Sequence, residues 1–440
     1  MALHAQFEIE FRRDGTIHDE NQIAKLLDGL AGVTNLVVVS HGWNNDKGDA
    51  SALYDAFVRS VEEIAAAGIV PGAHARKLGL VRIYWPSKRF ADSDLIPGGG
   101  AASVAAAGKA SSESLVRVLA ELRKDPVLLG GSEIDDARRV HLDRAQALAA
   151  DLEHSAEARR EFVQSIRAIL NPDEKHADDG SSEFFTIEPD ALFQRLSGDV
   201  KFTPAAASGG ATAVGGEGAA GFIGDLAQGA TAAARRIANF ATYYQMKTRA
   251  GTVGRTGVAL ALARVREKRP DLPLNLVGHS FGGRLVTAAA STLKAGSEAV
   301  TMMLLQAAFS HNGLAERFDK TNDGAFRTVL RDRRISGPLL ITYTKNDRAV
   351  GIAYPLASRI ARDAAAALGD ENDPYGGIGR NGAQHTPEAD SGVLGDLDAQ
   401  YAFKRNKVVN LRADRFISSH SDVTGHQVAY AFWHGLIAGS

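Results

Sequence analysis

The sequence predicts an α/β fold, a doubly wound and mostly parallel sheet that is interrupted by a large, mostly helical insertion. Six short apolar runs alternate along the chain with amphipathic helical patterns. Runs of this length are typical of strands that helices cover on both faces. An interval of about 160 residues after the second run contains no further apolar run, and this interval predicts the insertion.

The six predicted strands are residues 36–39, 81–85, 274–277, 300–305, 339–343 and 408–411. Pro86 directly follows the second run, where it suits the end of a strand because proline lacks an N–H group. Between the runs, apolar residues recur at helical spacing, as at Val258, Leu262 and Val265. The same spacing predicts helices over residues 258–269, 284–295, 353–368 and 426–437.

The insertion divides the chain into three predicted parts: core residues 1–89, insertion residues 90–246 and core residues 247–440. Within the insertion, helical patterns are predicted at 114–122 and 136–170, and two stretches rich in Ala and Gly, 97–107 and 204–234, flank them. Gly-rich sequence supplies flexibility, so we expect a lid over the site with flexible hinges. The alternative is a disordered surface insertion without a catalytic role.

Composition excludes several classes of protein. The chain has 440 residues, 50 Lys plus Arg against 52 Asp plus Glu, and no cysteine. Near-neutral charge argues against a nucleic-acid binder, and without cysteine there is no disulfide, thiolate metal site or thiol nucleophile. The N-terminal residues lack the apolar run of a signal peptide, and no stretch of about 20 apolar residues predicts a transmembrane helix. We therefore expect a cytoplasmic protein, with leaderless export as the open alternative.

The strongest local motif is Gly278-His279-Ser280-Phe281-Gly282-Gly283, which follows one predicted strand and precedes a predicted helix. A serine on such a sharp turn needs small neighbours, because a Cβ on either side would collide with the adjacent backbone. Its Oγ would then be presented as a nucleophile, with the Phe281 amide at the helix N-terminus. The alternative is a tight turn with an unreactive serine.

A serine nucleophile requires a base and an acid that orients it. Asp347 lies just past the predicted strand 339–343, at the edge where open α/β sheets assemble their sites, and Asp414 is the substitute. His420 follows the last predicted strand and is the expected base. His426, at a predicted helix start, is its rival. The order Ser280, Asp347, His420 is the order expected for a triad on this α/β architecture.

The predicted oxyanion hole combines the amide of Phe281 with that of Trp43, which follows Ser40-His41-Gly42 at the end of the first predicted strand. Gly42 would allow close approach to the serine, and His41 is expected to brace the turn. A substrate pocket or, alternatively, plain core packing is predicted for Trp85, Phe309 and Tyr354, together with Phe281.

Other motifs are rejected. Gly216–Gly221 and Gly377–Gly382 match a dinucleotide-binding pattern, but neither follows a predicted strand. The 13 histidines include no HExxH motif, so no metal site is expected. Residues 374–384 are predicted to form a rim loop. A solvated cationic face is predicted for Arg235, Arg236, Lys247 and Arg249.

The chain resembles the α/β-hydrolase superfamily through VVVSHGW, IYWPS, LVGHSFGG, ITYTKND and SSHSD, each at the end of a predicted strand. The resemblance covers about residues 1–90 and 247–440. Its HGW and SHSD motifs are similar to those of uncharacterised bacterial serine hydrolases of the esterase or lipase type. It implies a triad of Ser280, His420 and Asp347, no cofactor, and hydrolysis of carboxylic esters. One departure is that the insertion precedes the serine turn, whereas the family's cap follows the next strand.

The sequence thus predicts a serine hydrolase that acts on a small-molecule or lipid-like ester, with no nucleic-acid partner. The alternative is a non-catalytic scaffold of the same fold whose insertion binds a partner. Acyl transfer to an alcohol or amine would use the same residues.

Overall fold

All strands of the described residues lie in one parallel sheet. The structure is a computed structural model and describes residues 3–87, 115–120, 122–123, 135–197, 229–297, 299–347, 360 and 374–440. The strands are β1 (Leu3–Glu10), β2 (Asn35–Ser40), β3 (Leu78–Tyr84), β4 (Leu274–His279), β5 (Val300–Leu305), β6 (Leu339–Tyr343), β7 (Ala389–Val393) and β8 (Val408–Arg412). Their order across the sheet is β1-β3-β2-β4-β5-β6-β8-β7, and every pairing is parallel.

The predicted α/β class is confirmed, and all six predicted strands occur, extended by a few residues at some ends. Two strands were not predicted, and both are edge strands. Side chains of β1 alternate between half-buried and exposed, and β7 is almost entirely accessible. A strand with one neighbour needs less apolar surface than a central strand, so the apolar-run criterion misses it.

Twelve α-helices have defined bounds, and residues 115–120 and 122–123 are helical as well. The twelve are α1 (Glu20–Asp28), α2 (Lys47–Ala67), α3 (Asp136–Leu148), α4 (Ala156–Ala168), α5 (Ser181–Thr186), α6 (Pro189–Ser197), α7 (Ala230–Thr252), α8 (Ala259–Lys268), α9 (Phe281–Ala290), α10 (Arg327–Arg331), α11 (Ile378–Asn381) and α12 (His426–Gly439). A π-helical turn, Val253–Val258, joins α7 to α8. None of the described helices is both long enough and apolar enough to cross a bilayer.

Helices cover the sheet on both faces, as the alternation in β2 shows. Leu36 and Val38 pack into one core with α1, α8 and α9, whereas Val37 and Val39 pack into a second core with α2 and α12. Successive residues of a strand point to opposite faces, so a strand with two covered faces must be apolar throughout. This explains why the central strands read as continuous apolar runs.

The insertion has a core of its own. Apolar side chains of α3, α4 and α6 pack with one face of α7, including Ile237 and Phe240. Another face of α7, including Met246 and Ala250, packs into the sheet core. The predicted boundary between residues 246 and 247 therefore falls inside a single helix that belongs to both cores.

The helix predictions differ in detail from the structure. The pattern over 136–170 forms two helices, because Ser155 caps a new helix by accepting a hydrogen bond from the Ala158 amide, at 3.1 Å. The predicted helix 353–368 lies outside the described residues except for Ile360, which is helical. Most of the Ala/Gly-rich stretches 97–107 and 204–234 also lie outside them.

The predicted solvated cationic face is wrong for three of its four residues. Arg236, Lys247 and Arg249 are almost completely buried on α7. Lys247 forms a buried ion pair with Asp179, which also accepts a hydrogen bond from the Ser181 hydroxyl, at 2.5 Å. Asp179 lies 68 residues before Lys247 in the chain, so a local sequence pattern cannot predict this ion pair. The pair fastens the segment that carries Asp179 to α7.

Replacing Lys247 with Met should lower the free energy of unfolding by about 3–5 kcal/mol, because it leaves the Asp179 carboxylate buried without its counterion. The double variant Lys247→Met/Asp179→Asn should recover much of this loss. Urea unfolding measures both, with Lys268→Met on the exposed side of α8 as the matched control. An equal effect of Lys247→Met and Lys268→Met would contradict a stabilising role for the pair.

Candidate active site

Ser280 occupies the tight turn between β4 and α9. Its backbone has φ 56° and ψ −126°, a conformation that non-glycine residues rarely adopt. Two hydrogen bonds to the segment at the end of β5 hold it there. Ser280 N donates to the Leu305 carbonyl at 3.1 Å, and the Ser280 carbonyl accepts from Ala308 N at 2.9 Å. These bonds to the β5 end offset the strain and fix the serine at the carboxyl edge of the sheet.

Glycines on either side make this turn possible. A Cβ on Gly278 would lie 2.5 Å from the Cα of Gly283, and a Cβ on Gly282 would lie 2.5 Å from the carbonyl oxygen of His41. Neither contact is sterically allowed, so α9 can approach β2 and β4 this closely only with glycine at both positions. The motif predicts small residues beside the serine, and at both Gly278 and Gly282 a specific backbone atom leaves no room for a Cβ.

The segment after β2 lies directly against Ser280. Strands β2 and β4 are neighbours, with Ser40 opposite Gly278. A Cβ on Gly42 would lie 2.6 Å from the Cβ of Ser280 and 3.1 Å from its Oγ. The backbone that leads from Gly42 into Trp43 therefore runs past the serine hydroxyl.

The two predicted oxyanion donors lie on the segments that flank Ser280. Phe281 is the first residue of α9, and the first four N–H groups of a helix have no intrahelical acceptor. Trp43 follows Gly42, and its ring meets the Phe281 ring edge-on, with 6.0 Å between centroids. The two residues are thus adjacent, on either side of the serine turn.

His41 braces the turn between β2 and this segment. Its Nδ1–H donates to the Gly42 carbonyl at 2.9 Å, and its Nε2 accepts from the Trp85 amide at 3.3 Å. The ring stacks on the Trp85 indole, with 5.6 Å between centroids. Burial lowers the pKa of His41 to about 4, so the ring is neutral at pH 7.

Asp347 and His420 are brought together. Asp347 follows β6 and is fully buried, and its Oδ2 accepts a hydrogen bond of 2.8 Å from His420 Nδ1 in the loop after β8. The substitute acid, Asp414, instead accepts from the Thr344 hydroxyl at 2.7 Å and from the Lys345 amide at 3.0 Å. Asp414 therefore secures the turn that carries Asp347.

The rival base, His426, lies on the protein surface. It is the first residue of α12, its side chain is 51% exposed, and its Nε2 lies 2.6 Å from a carboxylate oxygen of Glu63. His420, by contrast, lies beside the serine turn, because its ring packs against His279 with 4.8 Å between centroids. Of the two histidines, only His420 contacts Asp347 within the part of the chain that the structure describes.

Ser280, Asp347 and His420 follow β4, β6 and β8 at one edge of the sheet. Ser280 and His420 are not hydrogen bonded to each other in this structure. Catalytic hydrogen bonds are often long in ligand-free enzymes and shorten when substrate binds. The arrangement therefore provides a base with an oriented tautomer next to a strained serine turn.

The predicted pocket residues have other surroundings. Trp85 is fully buried against His41, and Phe309 packs edge-on against Phe326 in the sheet core, so both are core residues. Tyr354 lies outside the described residues. Tyr243 is a neighbour of the site that the sequence did not indicate. Its ring centroid lies 5.2 Å from that of Phe281, which brings α7 of the insertion beside the serine turn.

A second contribution missed by the sequence supports the strand ends. Gln306, directly after β5, has φ 45° and is buried. Its side chain accepts from the Thr342 hydroxyl at 2.7 Å and donates to the Gly379 carbonyl at 3.1 Å. The predicted rim loop 374–384 contains the short helix α11 and is held by these bonds against the ends of β5 and β6.

Comparison of the chain with protein-family models, with curated proteins and with solved structures finds no match.

Stability should fall between pH 7 and pH 5 in a way that depends on His41. The folded protein keeps His41 neutral, while the unfolded chain binds a proton below about pH 6.5, so stability is lost as pH falls. His41→Asn, which can still donate to the Gly42 carbonyl, should reduce this loss by about 2 kcal/mol. Urea unfolding at both pH values measures it, with surface His426→Asn as the control. Equal losses in wild type and His41→Asn would refute the assignment.

Proposed function

We propose that this protein is a serine hydrolase that cleaves carboxylic esters. The observation that carries the proposal is the 2.8 Å hydrogen bond between buried Asp347 and His420, at the sheet edge where Ser280 occupies a strained turn. A scaffold without catalytic activity has no need for a buried carboxylate paired with a histidine at this place. The chain order Ser280, Asp347, His420 and the flanking α/β sheet favour an enzyme of the α/β-hydrolase type.

In the proposed mechanism, Asp347 accepts the Nδ1–H of His420 and so leaves Nε2 as the basic nitrogen. His420 Nε2 removes the proton from Ser280 Oγ as that oxygen attacks the carbonyl carbon of the ester. The proton then passes to the leaving alcohol, and an acyl-enzyme forms. A water molecule, deprotonated by the same nitrogen, releases the acid and restores the serine.

Charge develops at two points during this reaction. The imidazolium of His420 is stabilised by the carboxylate of Asp347, which is already desolvated and therefore needs no rearrangement. The oxyanion of the tetrahedral intermediate would be stabilised by the amides of Phe281 and Trp43. A donor of this kind typically contributes about 3 kcal/mol to the lowering of the barrier.

Ser280→Ala should abolish covalent labelling by a fluorophosphonate probe and lower kcat for p-nitrophenyl esters by about 10⁴-fold or more, because the acyl-enzyme cannot form. The assay should use a series of esters with increasing acyl length, which also measures the preferred length of the acyl chain. Surface His426→Ala should retain wild-type labelling. Labelling that survives in Ser280→Ala would contradict the assignment of the nucleophile.

Asp347→Asn should lower kcat by about 10⁴-fold, since an amide can donate to His420 Nδ1 and so stabilise the wrong tautomer. Asp414→Asn keeps the acceptor oxygen for Thr344 and Lys345 and should change kcat by less than about tenfold. Steady-state kinetics on the same ester would compare them. If Asp414→Asn were the more damaging variant, the acid would be assigned incorrectly.

A further inference from the structure

His279, which precedes Ser280 in the chain, makes a direct contact with His420. Its Nε2 lies 2.9 Å from the carbonyl oxygen of His420, and the two rings pack with centroids 4.8 Å apart at an interplanar angle of 43°. The last residue of β4 therefore touches both the backbone and the side chain of the proposed base. The mechanism described above assigns no role to this contact.

The protonation of His279 follows from its partners. A carbonyl oxygen only accepts hydrogen bonds, so Nε2 of His279 carries the hydrogen. Its Nδ1 is then the unprotonated nitrogen, and it is buried without a hydrogen-bond partner among the described residues. Burial, reinforced by the neighbouring His420, lowers the pKa of His279 to about 3. His279 is thus a neutral hydrogen-bond donor at pH 7.

Short-range bonds shape a local turn around His420. Ser418 N and its hydroxyl donate to the Asp422 carboxylate, at 3.0 and 2.8 Å, and Asp422 N donates to the Ser419 carbonyl at 3.3 Å. The ends of the loop are attached to other elements, because Ile417 O accepts from Asn346 Nδ2 at 2.9 Å and Thr424 O accepts from the Ser60 hydroxyl at 2.6 Å. The hydrogen bond from His279 connects that turn to the end of β4, directly before Ser280.

We propose that His279 is a positioning residue, which fixes the distance between the base His420 and the nucleophile Ser280 by binding the His420 backbone from the adjacent position in the chain. This inference rests on the proposed hydrolase function. Asp347 then orients the imidazole ring, and His279 places the backbone from which the ring extends. Misplacement of a catalytic group by about 1 Å costs about 100-fold in rate, so the contribution can be large.

Neutrality is part of this role. During the reaction His420 becomes an imidazolium, and a second positive charge 4.8 Å from it would oppose proton transfer. A buried histidine can donate a hydrogen bond and remain uncharged, which a lysine or arginine at the same place would do less readily. The position therefore requires a long, neutral hydrogen-bond donor.

The test compares His279→Gln with His279→Asn. The two variants carry the same amide group, but only the longer glutamine side chain can place its nitrogen near the position of the histidine Nε2. His279→Gln should keep kcat within about fivefold of wild type, whereas His279→Asn should lose about 10- to 100-fold in kcat with KM nearly unchanged. His279→Leu, which removes the donor but keeps an apolar contact, should resemble His279→Asn.

A second measurement does not depend on turnover. In the substrate-free protein, NMR of the His420 ring should give wild-type shifts and titration for His279→Gln and altered ones for His279→Asn. Equal kcat and equal His420 spectra in the two amide variants would overturn the positioning role. Loss of hydrolysis on Ser280→Ala is a separate result, so failure of the proposed function would be recognised independently.

Discussion

The close packing of α9 against the ends of β2 and β4 is the constraint on which the rest of the site depends. It requires glycine at positions 278 and 282, because a Cβ at either position would overlap backbone atoms. Only then can the chain reverse at Ser280 with a positive φ, and only then does Gly42 reach the serine hydroxyl. One steric condition therefore places Ser280, the segment after β2 and the N-terminus of α9.

Much of the sheet could be predicted because its central strands are covered on both faces and must be apolar. The edge strands β1 and β7 could not, since their exposed residues resemble loops or amphipathic segments. Burial of charge was also invisible to local patterns. Lys247 and Arg249 read as solvent-exposed cations, because the partners that allow their burial, Asp179 and the carbonyl of Pro86, come from distant parts of the chain.

The candidate site was more predictable than the insertion, because strand ends meet at one edge of a parallel sheet whatever the intervening sequence. This rule favours Asp347 and His420 over Asp414 and His426, and Asp347 and His420 are hydrogen bonded in the structure. It could not distinguish the role of Asp414, which depends on loop geometry. Nor could it find Tyr243, which reaches Phe281 from a helix with no sequence link to the motif.

The long helix α7 has a consequence for how the protein is built. One of its faces completes the core of the insertion and another covers the sheet. Excising the insertion as a module would therefore expose apolar surface of the sheet core, and grafting it elsewhere would leave the sheet-facing side of α7 uncovered. We infer that the two units acquire their native packing together, as one cooperative folding unit.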